Sequence, residues 1–413
     1  MHEIDTIDTR IGVTYPSGYR AAGVKAGIKA SGREDVCLLV SDLPAAVAGA
    51  FTANRFAASS VRYDRGIVET GQPVRAIVIN SGNANAATGK NGEADTRATA
   101  GFAAEKLGVP VEQVLVSSTG RIGIPLPMDR IRKGVLDAVG KLSPDGGADA
   151  LKAIMTTDTR PKWEHRELTA GGNAVRIGGM AKGAGMIAPS LRPAAPPHAT
   201  MLAYLTTDAA VDPAFLRLCL DACLDESFNR ITVDGDCSTN DTFLALANGA
   251  AGNEPLSADH PDAEKFAAAF GEVAASLARQ MVLDGEGATR FVEVVVSGAR
   301  TVSDARACAE TIANSLLCKT AWFGGDPNWG RVIDAAGYSG ADLNPEAVSL
   351  HYGTTPIVRN GIDAGTPEAE QAAAVKTDNV VVRLDLGVGD QRFTKWTCDL
   401  SYEYVRINAE YTT

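Results

Sequence analysis

A threonine at position 200 opens an apolar run, Ala199-Thr200-Met201-Leu202-Ala203-Tyr204-Leu205. Its hydroxyl is a weak nucleophile unless a base removes the proton. A threonine placed at a chain terminus carries such a base in its own α-amino group. With a pKa of ~7.7 to 8.0, that amine holds a usable free-base fraction at neutral pH. The arrangement requires scission of the Ala199–Thr200 bond. Read blandly, a threonine opening a strand is an ordinary β-propensity choice. Just upstream stands Lys182-Gly183-Ala184-Gly185-Met186-Ile187-Ala188-Pro189. Its glycines suit either a tight turn or a phosphate cradle, although the G-x-x-x-x-G-K-[ST] spacing is missing.

Four prolines fall within residues 188–198, which excludes helix and central strand there. On composition alone this segment reads as a linker between two domains. On either side, strand-like and helical runs alternate, giving an α/β class. Residues 36–40, 76–80, 114–117, 291–297 and 380–386 read as strands. Residues 128–139, 148–155, 213–225, 263–283 and 305–317 have helical spacing. No internal repeat emerges.

The 413 residues are 45% hydrophobic and 22% charged, with 42 glycines, a globular composition long enough for two or three domains. A net charge of -11 without a basic run argues against nucleic acid as a partner. No signal pattern opens the chain and no apolar stretch approaches the ~18 residues of a bilayer crossing, so the expectation is a cytoplasmic protein off the membrane. The seven cysteines, Cys37, Cys219, Cys223, Cys237, Cys308, Cys318 and Cys398, form no C-x-x-C pair. They read as reduced core thiols, with Cys219 and Cys223 on one helical face as the best case for a metal or redox role. No metal is expected.

Five phrases occur in order: residues 16–29 (PSGYRAAGVKAGIK), Ser117-Ser118-Thr119-Gly120, residues 182–200, Asp234-Gly235-Asp236-Cys237-Ser238-Thr239-Asn240-Asp241-Thr242, and Gly325-Asp326-Pro327-Asn328-Trp329-Gly330-Arg331. Together they resemble the bifunctional ornithine acetyltransferase family, also called glutamate N-acetyltransferases, from about residue 10 to the end. The resemblance implies an α/β fold, a two-lobed sandwich of sheets and helices built from both products of self-cleavage between Ala199 and Thr200. The products would be an α chain, residues 1–199, and a β chain, residues 200–413, in an α2β2 assembly.

Thr200 would take an acetyl group from N-acetylornithine as an ester and pass it to glutamate in a ping-pong cycle. No cofactor is implied, although acetyl-CoA is a further donor in bifunctional members. The same resemblance assigns the oxyanion hole to Thr119 and Gly120. It assigns substrate contacts to Thr156 (or the adjacent Thr157), Lys182, Thr200, Glu286, Asn408 and Thr413. In kind the chemistry agrees, since a substrate α-carboxylate wants a cation such as Lys182 and ornithine's terminal ammonium a carboxylate such as Glu286. The 234–242 and 325–331 phrases read as hydrogen-bonding turns and helix starts that frame the site. The departure from the family pattern is a seven-residue insertion, residues 192–198, just before the scissile bond. A self-cleaving amidase or aminopeptidase with water as acceptor, and an uncleaved amino-acid-binding relative, remain the alternatives.

Overall fold

The computed structural model describes residues 9–189, 191 and 201–410. The chain forms two units. The first comprises the residues up to Asn229 with Asp236–Met281, and the second Arg230–Gly235 with the residues from Val282 onward.

In the first unit, β1 (Tyr19–Val24), β2 (Val36–Phe51), β3 (Val74–Asn83), β4 (Val114–Arg121), β5 (Lys162–Ala170), β6 (Asn173–Lys182), β7 (Leu202–Thr207) and β8 (Thr242–Ala247) form one continuous sheet in the order β4-β3-β2-β8-β7-β6-β5, with β1 beside β2. The 16-residue β2 joins its two halves. Residues Val36 to Val40 pair with β3, and Ala46 to Phe51 pair with β8. The halves fold face to face. Cys37, Leu39, Ile77, Ile79 and Leu115 from one meet Met180, Leu202, Tyr204, Leu244 and Leu246 from the other in a single core.

Period-two alternation puts the intervening residues Val36, Leu38, Val40, Val78 and Val116 on the opposite face. There they pack with Ala100, Ala103 and Ala104 of α2 (Gly89–Leu107) and Ile131, Val135 and Ala138 of α3 (Met128–Val139). On the far face of the second half, Phe243 of β8 meets Phe270, and Gly179 of β6 lies under Val273 and Leu277. Those residues belong to α6 (Ala263–Leu283), with α5 (Pro213–Leu224) packed alongside through Phe215 against Phe266. The unit is thus a helix–sheet–sheet–helix sandwich. α1 (Ser59–Glu69) and α4 (Gly147–Ile154) contribute Val61, Leu151 and Ile154 to the inter-sheet core.

The segment before residue 200 and the segment after it share this one sheet, so the proline-rich stretch does not link two domains. β7 and β8 lie between β2 and β6. One premise of the membrane expectation meets an exception, because α6, at 21 residues, is long and apolar enough by composition to cross a bilayer. Its apolar stripe, Phe266, Phe270, Val273, Leu277 and Met281, is buried in the protein, while Glu272 on the other side pairs with Arg166 at 3.0 Å. α6 is a core helix.

The second unit holds a six-stranded sheet, β12-β11-β10-β13-β9-β14. Its strands are β9 (Phe291–Ala299), β10 (Ser349–Tyr352), β11 (Thr355–Arg359), β12 (Ile362–Asp363), β13 (Asn379–Asp385) and β14 (Gln391–Cys398). Valines of β9 and β13, which run parallel, pack with Cys308, Ile312 and Trp322. These last residues come from α7 (Val302–Asn314) and α8 (Leu316–Gly324). The spacing predicts one helix across residues 305–317, but the chain breaks at Ser315. That residue takes an extended ψ of 115°, and its hydroxyl accepts from the Cys318 N–H to start the next helix. α9 (Trp329–Gly337), α10 (Glu368–Val375) and α11 (Tyr402–Glu410) complete the unit. Asn328 caps α9 through the Arg331 N–H, as expected of a helix-start phrase.

Candidate active site

β3 and β4 run parallel, with Ser81 opposite Thr119 and Gly82 opposite Gly120, and their register slips immediately afterwards. The slip depends on glycine. Gly120 has φ +129°, and a Cβ there would lie 2.3 Å from the Gly82 carbonyl carbon. Thr119 precedes it and is buried. Its Oγ1 accepts from Lys182 Nζ, itself buried at the end of β6, at 3.3 Å. With the ammonium on its lone pair, the Thr119 hydroxyl has its own proton left to donate. Such a donor beside a side-chain-free residue is what a developing oxyanion needs.

Asp158 organises the next layer. Its Oδ1 accepts from Lys162 Nζ at 2.6 Å and from the Gly183 N–H at 2.7 Å, and its Oδ2 accepts from the Thr156 N–H at 2.9 Å. Although burial alone would raise its pKa, the Lys162 and Lys182 charges and these bonds hold the carboxyl well below the usual carboxylate range. One carboxylate therefore links Thr156, the turn beside Lys182 and the buried Lys162. Because the Gly183 amide is committed to Asp158, the 182–185 turn is not an open phosphate cradle. Thr156 and Thr157 are both half-buried.

Lys29 adds a third cation, after Lys182 and Lys162. Its side chain lies against Gly82, where a Cβ would come within 3.1 Å of Lys29 Cγ, and its Nζ donates to the Ala153 carbonyl at 3.4 Å. Burial, with the Arg33 charge, lowers its pKa to about 8. Sequence reasoning passed over both Asp158 and Lys29. The available signals were an aspartate inside the Met155-Thr156-Thr157-Asp158-Thr159 run, four residues before a lysine, and a lysine closing the first phrase.

In the second unit, Glu286 is buried on the loop after α6, and its Oε2 accepts from Asn408 Nδ2 at 2.9 Å. The same amide nitrogen donates to the Tyr404 carbonyl at 3.0 Å. Gly287, at φ +69°, lets this loop pass against α11, because a Cβ would fall 2.5 Å from the Tyr404 nitrogen. Thus the structure brings Thr119, Gly120 and Lys182 together, ties Thr156 to them through Asp158, and pairs Glu286 with Asn408. Ala199, Thr200, the 192–198 insertion and Thr413 lie outside the described residues.

None of the seven cysteines is in a disulfide, and all but Cys237 are buried. Burial pushes Cys219 and Cys223 up to about 12, which leaves them protonated at neutral pH. Among the described residues no group of three or more His, Cys, Asp or Glu side chains is placed to hold a metal.

The ArgJ family model matches residues 20–413. The chain belongs to the ArgJ family. ArgJ proteins named arginine biosynthesis bifunctional protein include that of Symbiobacterium thermophilum, 49% identical over 404 residues, which span 97% of this chain and 98% of that one. A glutamate N-acetyltransferase from Methanocaldococcus jannaschii is 45% identical over 412 residues, 97% of this chain and 98% of that one. Among solved structures, an ornithine acetyltransferase from Mycobacterium tuberculosis complexed with ornithine is 43% identical, with a TM-score of 0.40 over 45% of this chain and 98% of that chain.

Proposed function

We propose that this ArgJ-family chain is a glutamate N-acetyltransferase of arginine biosynthesis, moving an acetyl group from N-acetylornithine to glutamate through an acetyl-Thr200 ester. The observation that carries the reading is the near-complete alignment to relatives named for that activity, joined to the Lys182–Thr119–Gly120 arrangement.

After scission of Ala199–Thr200, the Thr200 α-amino group takes the hydroxyl proton as Oγ1 attacks the acetyl carbonyl. The Thr119 hydroxyl and the Gly120 N–H stabilise the tetrahedral oxyanion, a contribution of ~10² to 10³ in rate per donor. The C–N bond then breaks and the proton passes to the leaving amine, releasing ornithine. Glutamate's α-amine attacks the ester by the same steps in reverse, giving N-acetylglutamate and free Thr200. Lys182 receives the substrate carboxylate. Glu286 and Asn408, together with the Thr413 terminus and Thr156 or Thr157, serve the amino-acid side chains. Acetyl-CoA acts as a second donor, its thioester attacked by the same hydroxyl. No cofactor takes part. The enzyme works in the cytoplasm as an α2β2 assembly.

Intact-mass analysis of purified protein tests this. Two fragments meeting at Ala199 and Thr200 are expected, and quenching with N-acetylornithine should leave one acetyl group on the Thr200 peptide, discharged by glutamate faster than by water. Thr200→Ala should remain a single 413-residue chain without transferase activity. A parent chain that stays whole while transferring acetyl groups would overturn the mechanism. Discharge unaffected by glutamate would make the protein a hydrolase.

A further inference from the structure

The 234–242 phrase is more than a frame. Asn240 and Asp241 are consecutive, buried, and reach different neighbours. The Asn240 amide donates to the carbonyls of Ala84 at 2.6 Å and Ser118 at 2.8 Å, the latter one residue before Thr119. Asp241 Oδ1 accepts from the Met201 N–H, and the Thr242 N–H donates back to the Met201 carbonyl at 3.0 Å. Residues 241 and 242 therefore hold both peptide groups of the residue covalently bonded to Thr200. Asp241 Oδ2 is buried and has no hydrogen-bond partner among the described residues. An orphaned buried carboxyl oxygen is unfavourable and calls for a donor.

We propose that Asp241 is a positioning residue for Thr200: one carboxyl oxygen fixes the amide of residue 201, and the other accepts an N–H of the α-amino group that scission of Ala199–Thr200 creates. Within any N-terminal residue the α-amino nitrogen and the next amide nitrogen are ~3 Å apart, so a carboxyl group bonded to one is in reach of the other. Spending an amine N–H on Oδ2 turns the nitrogen lone pair toward a fixed direction, which a general base for its own hydroxyl requires. Burial pushes the Asp241 carboxyl up, while the Met201 N–H and the Lys182 charge oppose that rise and favour the ionised, accepting form. The assignment rests on Thr200 as the nucleophile.

Asp241→Asn is the discriminating variant. It keeps an oxygen for the Met201 N–H and replaces the second oxygen with an NH2 that cannot accept. Because the amine does not exist before scission, the variant should self-cleave like the parent. Its transfer kcat should nevertheless fall roughly 10-fold or more with KM for N-acetylornithine little changed. Matured Asp241→Asn with the parent's kcat would overturn the proposal and leave Asp241 a purely structural anchor. Matured Asp241→Ala gives a second reading should the amide variant not fold. Added formate should restore part of its turnover, and a folded, cleaved alanine variant indifferent to formate would equally overturn it. Acetyl-Thr200 in the parent is assayed alongside. Its absence there would refute the nucleophile, whereas its presence with an unaffected asparagine variant would refute only the role of Asp241.

Discussion

The Lys29 ammonium is partly withdrawn from water and faces the Arg33 and Lys182 charges, so its pKa falls from 10.5 to about 8. Folded, it sheds a proton that the unfolded chain keeps up to its ordinary value. Between about pH 8 and 10.5 the unfolded state therefore binds more protons, and stability from this group rises with pH across that window. Lys29→Met should flatten that rise. The check is the melting temperature of parent and variant at intervals from pH 7 to about 10, where the difference between them should narrow as pH increases. Asp158 has the same sign in a far more acidic window. Its carboxyl is held low, so the stabilisation is present above the ordinary carboxylate pKa and is lost only on strong acidification.

At the scale of elements, the end of the β3–β4 pair depends on Gly120. Gly120→Ala adds a Cβ against the Gly82 carbonyl carbon in a backbone conformation that alanine resists. It should cost about 1 to 3 kcal/mol in urea unfolding. Transfer activity should fall further than stability, because the Thr119 hydroxyl moves with the strand. Elements with strong local periodicity were legible in the sequence. α3 and α6 begin and end where the apolar spacing does, and β2, β3 and β4 grow outward from the apolar runs read at 36–40, 76–80 and 114–117. The break at Ser315 was not legible, since Leu316 and Leu317 continue the apolar pattern and only the serine's cap separates α7 from α8. Nor were the roles of Asn240 and Asp158. Asn240 meets carbonyls 156 and 122 residues away in sequence, distances at which spacing carries no information. The resemblance supplied Thr119, Lys182, Glu286 and Asn408, while the carboxylates and amides that hold such residues emerge only from the folded chain.

Across the whole molecule, the proposed scission cuts a connection inside the first unit's sheet. β7 and β8 come from the segment after residue 200 and sit between β2 and β6 from the segment before it, with six paired residues on each flank. Residues 1–199 made alone lack the two strands between β2 and β6, and they should accumulate insoluble. Co-expressed with residues 200–413, they should appear in the soluble fraction, which a gel of the two fractions decides. Parting the fragments after folding would mean unpairing both flanks of β7–β8 and opening the core behind them at the same time. Matured molecules mixed from labelled and unlabelled cultures should hold unscrambled pairs for days. Two alleles in one cell would then never share halves after maturation: each α–β pair descends from a single translated chain, and a defect in either half disables only its own sibling.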